Sequence, residues 1–280
     1  MKYLKVWFIV LSAFFTLNTF AQGILEGGDD KYTPRVGQDG KDVIWVPTTN
    51  ELLAIMLKTA KVNSTDLVYD LGSGDGRIAI AAAKDFGARA VGIEFNPEMA
   101  QLAQRNVARS GVADRVKIIN GDIFVEDFSN ATVVTMYLLP ELNLALRPTI
   151  LKMKPGTRVT SHAFNMGDWD ADAEIDSPAK AFYWVVPAQV AGEWVISGME
   201  TDRTILKLSQ HYQKIGGTIQ IGNTSQPLLN PKIDGATLSF TYLDRDKSSH
   251  FVIMSVSNNE IKGVYKSRAY NNNVITGKRL

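Results

Sequence analysis

Between residues 67 and 162 the hydrophobic pattern changes period repeatedly. Leu67-Val68-Tyr69-Asp70-Leu71 is a short apolar run of strand type that stops at a glycine-rich turn. The next run, Ile78-Ala79-Ile80-Ala81-Ala82-Ala83, is rich in alanine and favours helix. The alternation then returns. A strand is predicted over Ala88–Glu94, then a helix from Met99 to Arg109, opened by Asn96-Pro97-Glu98 and closed at Ser110-Gly111. Further strands are predicted over 115–120, 132–137 and 157–162, with Ala181–Val186 as the last of this region. Strands alternating with helices predict parallel βαβ units, hence an α/β fold with a doubly wound, mostly parallel, Rossmann-like sheet.

Beyond Ala191 the helical period is gone. Alternating runs follow at Thr204–Ser209, Gly217–Ile221, Ala236–Tyr242, His250–Ser257 and Glu260–Tyr265, with Gly216-Gly217 and Ser257-Asn258-Asn259 read as turns between them. Short strands at this spacing predict a small antiparallel β-barrel or sandwich. Ahead of them, Gly192-Glu193-Trp194 resembles the start of a lipocalin-like barrel. At the other end, Met1-Lys2-Tyr3-Leu4-Lys5 is basic, Val6 to Phe20 is uncharged, and Thr19-Phe20-Ala21 is a small-residue cleavage site. That is the layout of a secretory signal peptide. It predicts export to the periplasm, or, if uncleaved, an anchor that keeps the body near the outer face of the inner membrane. The expected organisation is a signal peptide over 1–21, a polar arm over 22–42, an α/β domain over 43–187 and an all-β domain over 188–280.

Composition narrows the chemistry. The formal net charge is +1, so no basic field points to nucleic acid as a partner. There is no cysteine, which removes disulfides, thiolate nucleophiles and cysteine zinc sites. The three histidines, His162, His211 and His250, are too far apart in sequence to suggest a metal site, and none is expected.

The remaining chemistry gathers at the predicted strand ends, where ligands bind on such sheets. Gly72, Gly74 and Gly76 let the backbone bend sharply and approach a ligand closely, while the helix behind them points free N–H groups into the bend. Their spacing is G-x-G-x-G, with Arg77 where a dinucleotide fingerprint has its third glycine. Asp70, two residues before Gly72, suits a ligand with a cationic centre better than a pyrophosphate. Glu94 ends the second strand, where a carboxylate can accept both hydroxyls of a ribose. Asp122, after the third strand, is placed to accept from an adenine amine while Ile123 or Phe124 covers the ring. Thr48 with Glu51 has capping-box spacing ahead of an apolar helix at Leu52–Leu57, and Thr48 is also a candidate ligand contact. Trp45, Tyr137, Pro140, His162 and Phe164 are candidates for the side of a second substrate.

The stretch Asp70-Leu71-Gly72-Ser73-Gly74-Asp75-Gly76-Arg77 resembles motif I of the class I S-adenosylmethionine-dependent methyltransferases, and Glu94 and Asp122 fall where that family keeps its other acids. The resemblance covers about residues 40–187. From Val46-Pro47-Thr48 to the Leu138-Leu139-Pro140 segment it is most similar to the group containing mitochondrial protein-lysine methyltransferases. It implies S-adenosylmethionine as methyl donor, with Asp70, Gly72, Ser73, Gly74, Gly76, Glu94, Asp122, Ile123 and Thr48 holding it and Tyr137 and His162 beside the acceptor. The Asn/Asp-Pro-Pro-aromatic motif of amide and nucleobase methyltransferases is missing after the fourth strand. The expected acceptor is therefore a protein lysine. A small-molecule acceptor, or a non-catalytic exported binding protein on this scaffold, stays open. Export also conflicts with a donor made in the cytoplasm.

Overall fold

The first strand, β1 (Leu67–Leu71), is buried along nearly its whole length and forms the middle of a sheet. In this computed structural model it pairs in parallel with β2 (Arg89–Glu94) on one side and β4 (Val133–Met136) on the other. The structure describes residues 28–42, 44–199, 204–266 and 273–280. The predicted signal peptide lies outside them. Adding β3 (Val116–Asn120), β5 (Arg158–His162), β6 (Ala173–Ile175) and β7 (Ala181–Val185) gives the order β3-β2-β1-β4-β5-β7-β6. The change of direction between β1 and β4 is the topological switch point, where a crevice opens above the strand ends.

Among the described residues the helices are α1 (Asn50–Thr59), α2 (Arg77–Phe86), α3 (Pro97–Arg109) and α4 (Pro140–Ile150). Alanines explain how closely two of them pack on the sheet. Ala79, Ala82 and Ala83 of α2 and Ala100 and Ala103 of α3 share one core with Val68, Ala90 and Val133. Asn96 caps α3 through its side chain, and Pro97 stands in its first turn, where a missing N–H costs nothing.

Two expectations need correction. The helix cap before α1 is Thr49, whose side chain accepts from the Leu52 N–H, rather than Thr48. The helix starts one residue later than the capping-box spacing implied, which leaves the Thr48 hydroxyl to bond elsewhere. The sheet also holds a strand that the pattern did not show, β6, only three residues long and antiparallel to β7. It is too short to display a period.

The chain divides into two compact units, one formed by the chain up to Leu146 with Val159–Tyr183, the other by Arg147–Arg158 with Trp184–Leu280. The second holds nine antiparallel strands: β8 (Gly192–Ser197), β9 (Thr204–His211), β10 (Lys214–Ile221), β11 (Thr224–Pro227), β12 (Leu229–Asp234), β13 (Thr237–Leu243), β14 (Ser249–Ser257), β15 (Glu260–Lys266) and β16 (Asn273–Arg279). Their order, β11-β10-β9-β8-β16-β15-β14-β13-β12, makes a nearly closed barrel-like sheet. Leu228 N–H bonds the Gly217 carbonyl, extending the β10–β11 ladder by one rung, and the Gln226 side chain of β11 exchanges two hydrogen bonds with the Leu243 backbone of β13 across the gap, at 2.5 and 3.0 Å. Gly216 and Gly217 lie inside β10 instead of forming a turn. A Cβ on Gly217 would sit 2.0 Å from the Lys207 carbonyl oxygen of β9, so glycine is needed there for strand contact. The interior is packed with Trp194, Phe240, Tyr242, Tyr265 and aliphatic side chains. The Arg279 guanidinium lies 4.5 Å over the Trp194 ring and donates to the Ala191 and Gln189 carbonyls. Among the described residues, no helix is long and apolar enough to cross a membrane.

Candidate active site

The loop between β1 and α2 is shaped by Gly72, Gly74 and Gly76, with φ of 76°, 54° and 82°. Their left-handed backbone strains any residue with a Cβ. The N–H groups of Gly72 and Ser73 both reach the Ile93 carbonyl at 2.9 Å, tying the loop to β2. A Cβ on Gly74 would meet the Trp45 indole nitrogen at 2.8 Å. Gly76 serves packing: a Cβ there would lie 3.2 Å from that of Ala103.

Above this loop is a cleft of about 1010 Å³, counted out to its open mouth. Of the residues expected at the site, Thr48, Asp70, Gly72, Ser73, Gly74, Glu94, Asp122, Ile123 and Tyr137 line it, while Gly76 and His162 do not. Trp45 lines it as well; Pro140 and Phe164 do not.

The three acids have different environments. Asp70 is fully buried, and burial raises its carboxyl to about 7, against a 2.6 Å hydrogen bond donated by Thr135. Glu94 is also raised by burial, although it accepts from the Gly74 and Asn96 N–H groups at 2.8 and 2.9 Å. Asp122 is nearer the surface and is lowered by Lys41, whose ammonium lies 2.8 Å away, and by the Phe124 N–H.

Lys41 belongs to a device that the sequence did not announce. Residues 37–42 and 44–45 take part in a small hairpin: Gly37 N–H bonds the Trp45 carbonyl, Trp45 N–H the Gln38 carbonyl, and Asp39 bridges Ile44. This hairpin is one wall of the cleft, with Lys41 at its tip also 4.7 Å above the Phe95 ring. The arm is fastened further back by Asp29, which pairs with Arg105 and Arg109 and is held well below the usual carboxylate range by the Arg105 hydrogen bond and the Tyr32 and Lys31 N–H groups. Such pairings join residues 76 or more apart, so no local pattern reveals them.

On the far side of the cleft is Tyr137, just past β4, and behind it His162 packs at a tilt with ring centroids 3.8 Å apart, while Phe164 lies 6.4 Å from Tyr137. Between His162 and Phe164, Ala163 has φ +64° inside a three-residue turn closed by Phe164 N–H to the His162 carbonyl. Such turns are rare and strained. Asn143 of α4, wholly buried, holds this turn by donating to the Ser161 hydroxyl and to the Phe164 and Asn165 carbonyls. Burial lowers the His162 imidazole and raises the Tyr137 phenol. The Thr48 hydroxyl lies 3.0 Å from His162 Nδ1, and the Thr48 carbonyl accepts from Arg77, which Asp75 grips through both carboxylate oxygens.

These residues fit an adenosyl sulfonium. Successive strand ends present carboxylates, bare backbone lies between them, and the Ser73 hydroxyl is buried in the cleft lining without a hydrogen-bond partner. Among the described residues no cluster of His, Cys, Asp or Glu could hold a metal ion.

Comparison with known proteins agrees. The model of the ANTKMT methyltransferase domain matches residues 70–173. A protein-lysine N-methyltransferase of Saccharolobus islandicus is 49% identical over 130 residues, 46% of this chain and 81% of that protein. A human lysine N-methyltransferase named for an ATP synthase subunit is 33% identical over 129 residues, and there the chain spans only 54% of the relative's length. Among solved structures, an RNA methyltransferase from Salinibacter ruber, in complex with S-adenosyl-L-homocysteine, is 47% identical with a TM-score of 0.51. The match covers 52% of this chain and 96% of that one. Matched to the archaeal protein-lysine methyltransferase over four fifths of that protein's length, and with its strand-end acids gathered around one cleft, the chain belongs to the class I S-adenosylmethionine-dependent methyltransferases related to protein-lysine N-methyltransferases.

Proposed function

We propose that the protein methylates lysine side chains of a protein substrate. The observation that carries this reading is the acceptor side of the cleft, where Tyr137, Leu138 and Leu142 offer an aromatic and apolar wall. Bound S-adenosylmethionine supplies an electrophilic methyl group on sulfur. The protein has to orient the acceptor in line and exclude water. A lysine must also arrive as the free amine, and burial beside uncharged groups favours that form. The names of the archaeal and human relatives support a lysine acceptor. On this reading Glu94 accepts from the ribose hydroxyls, and Asp122 accepts from the adenine amine with Ile123 against the ring. Asp70 faces the cationic end, while Gly72, Ser73 and Gly74 lie along the donor. The basic-then-apolar layout of residues 1–21 supports export; N-terminal sequencing that finds Gln22 first, in a periplasmic fraction, tests it.

The test of the reaction is transfer of radiolabelled methyl to a whole-cell extract. The expected result is label in protein that resists ribonuclease, maps to lysine by mass spectrometry, and is lost with Glu94→Ala. Label in RNA, the substrate class in the name of the Salinibacter protein, or in a small molecule, overturns it.

A further inference from the structure

We propose that Thr48 and His162 form a proton path leading from the acceptor side of the cleft, held in place by Arg77. The inference rests on the lysine reading. A lysine side chain in water is an ammonium, with an ordinary pKa near 10.4, and has no lone pair to accept a methyl. Some group has to take its proton. Four carboxylates of the cleft are engaged elsewhere: Asp70 by Thr135, Glu94 by two backbone N–H groups, Asp122 by Lys41 and Phe124, and Asp75 by Arg77; the other two, Asp39 and Asp42, stand on the hairpin beside Lys41.

Thr48 is differently placed. It lines the cleft, and its hydroxyl lies against a histidine whose ring packs at a tilt against Tyr137. It is available because the neighbouring Thr49 caps α1. Its backbone is pinned by the 3.1 Å hydrogen bond from Arg77 Nη1 to its carbonyl, with the guanidinium fixed by Asp75 at 2.6–3.1 Å. Arg77 is therefore a positioning residue. Its forked guanidinium grips both Asp75 carboxylate oxygens and still reaches the Thr48 carbonyl ahead of α1.

His162 is buried, and burial alone favours its neutral form. The groups that face it are the Thr48 hydroxyl from the segment ahead of α1 and the Tyr137 ring from the end of β4. The charges of Arg77 and Asp75 stand behind the Thr48 carbonyl and offset one another. With the ring proton on Nε2, Nδ1 accepts from Thr48, and the hydroxyl's lone pairs are left for a donor in the cleft. The ammonium gives a proton to Thr48 Oγ1 as Thr48 passes its own to His162 Nδ1. A neutral amine and an imidazolium result. The amine lone pair then forms the new nitrogen–carbon bond, the pair of the broken carbon–sulfur bond stays on sulfur, and the imidazolium loses its proton to water as product leaves.

The experiment compares the whole wild-type chain with Thr48→Val, Thr48→Ser, His162→Gln and Arg77→Lys. Donor affinity is read by calorimetry, single-turnover methyl transfer at saturating donor from pH 6 to 10, and the His162 titration by NMR without donor. Although the family resemblance gave Thr48 to the donor, its hydroxyl is turned to His162, so Thr48→Val is expected to change donor affinity by no more than about threefold. Its transfer should be slower by about 10²-fold near pH 7 and recover toward wild type near pH 10, where the lysine deprotonates unaided. His162→Gln should share this profile and Thr48→Ser should not. Arg77→Lys should lower kcat more than it raises KM, and the His162 titration should move in Thr48→Val. A loss of equal size at every pH, or no loss, overturns the path. A wild type that binds donor and labels no lysine overturns the acceptor reading instead, and this proposal with it.

Discussion

Asp70 has a burial that shows itself as a pH dependence. Its carboxyl stands at about 7 in the folded protein against an ordinary 3.8. Between those values the folded chain holds a proton that the unfolded chain has lost. Its contribution to stability is therefore complete below about pH 4 and is lost as pH rises to about 7. Melting measured at pH 5 and pH 8 should show this decline, and Asp70→Asn should flatten it. Since the ionised form suits a cationic ligand, donor binding near pH 7 should release a proton. Calorimetry in two buffers of different ionisation enthalpy should detect the release in wild type and miss it in Asp70→Asn. Identical apparent enthalpies for wild type in both buffers would contradict this. Asp70 itself could be named from the sequence because an acid ahead of alternating glycines at a strand end is a local pattern. The use of Thr48 could not, since it turned on a helix starting at Asn50 behind a Thr49 cap.

The hairpin of residues 37–42 and 44–45 shows what periodicity misses. The central strands announced themselves through apolar runs, whereas the arm is polar and gains its order from distant pairings with Asp122, Arg105 and Arg109. Strand ends were placed within a residue or so because glycine, asparagine and proline mark them; β6 had no such marks. The Lys41–Asp122 pair is partly exposed, so it is screened by salt and modest in effect. Lys41→Ala should weaken donor binding by no more than about fivefold and should remove most of its salt dependence. Calorimetry at about 50 mM and about 500 mM salt, as working concentrations on either side of strong screening, checks both. An effect of a hundredfold would mean that the lysine touches the donor itself.

The chain as a whole carries a second folded unit whose type, but not closure, could be read from alternating residues. Gly192-x-Trp194 marked its start, and the structure adds Arg279 from the last strand over that tryptophan. Trp194→Ala should remove about 3–5 kcal/mol of stability from the β-unit, seen as a lowered calorimetric transition. Donor affinity should be unchanged, because every residue lining the cleft lies between 38 and 142. Parallel loss of donor binding would show that the two units do not fold independently.

A sheet with two free margins invites a neighbour to extend it. Here one carboxamide, that of Gln226, imitates a peptide group and completes the seam with Leu243. Without it the margins would expose unmatched donors and acceptors, and the simplest remedy available to the chain would be another copy of itself. That single amide occupies the Leu243 N–H and carbonyl, the two groups a further strand would need there.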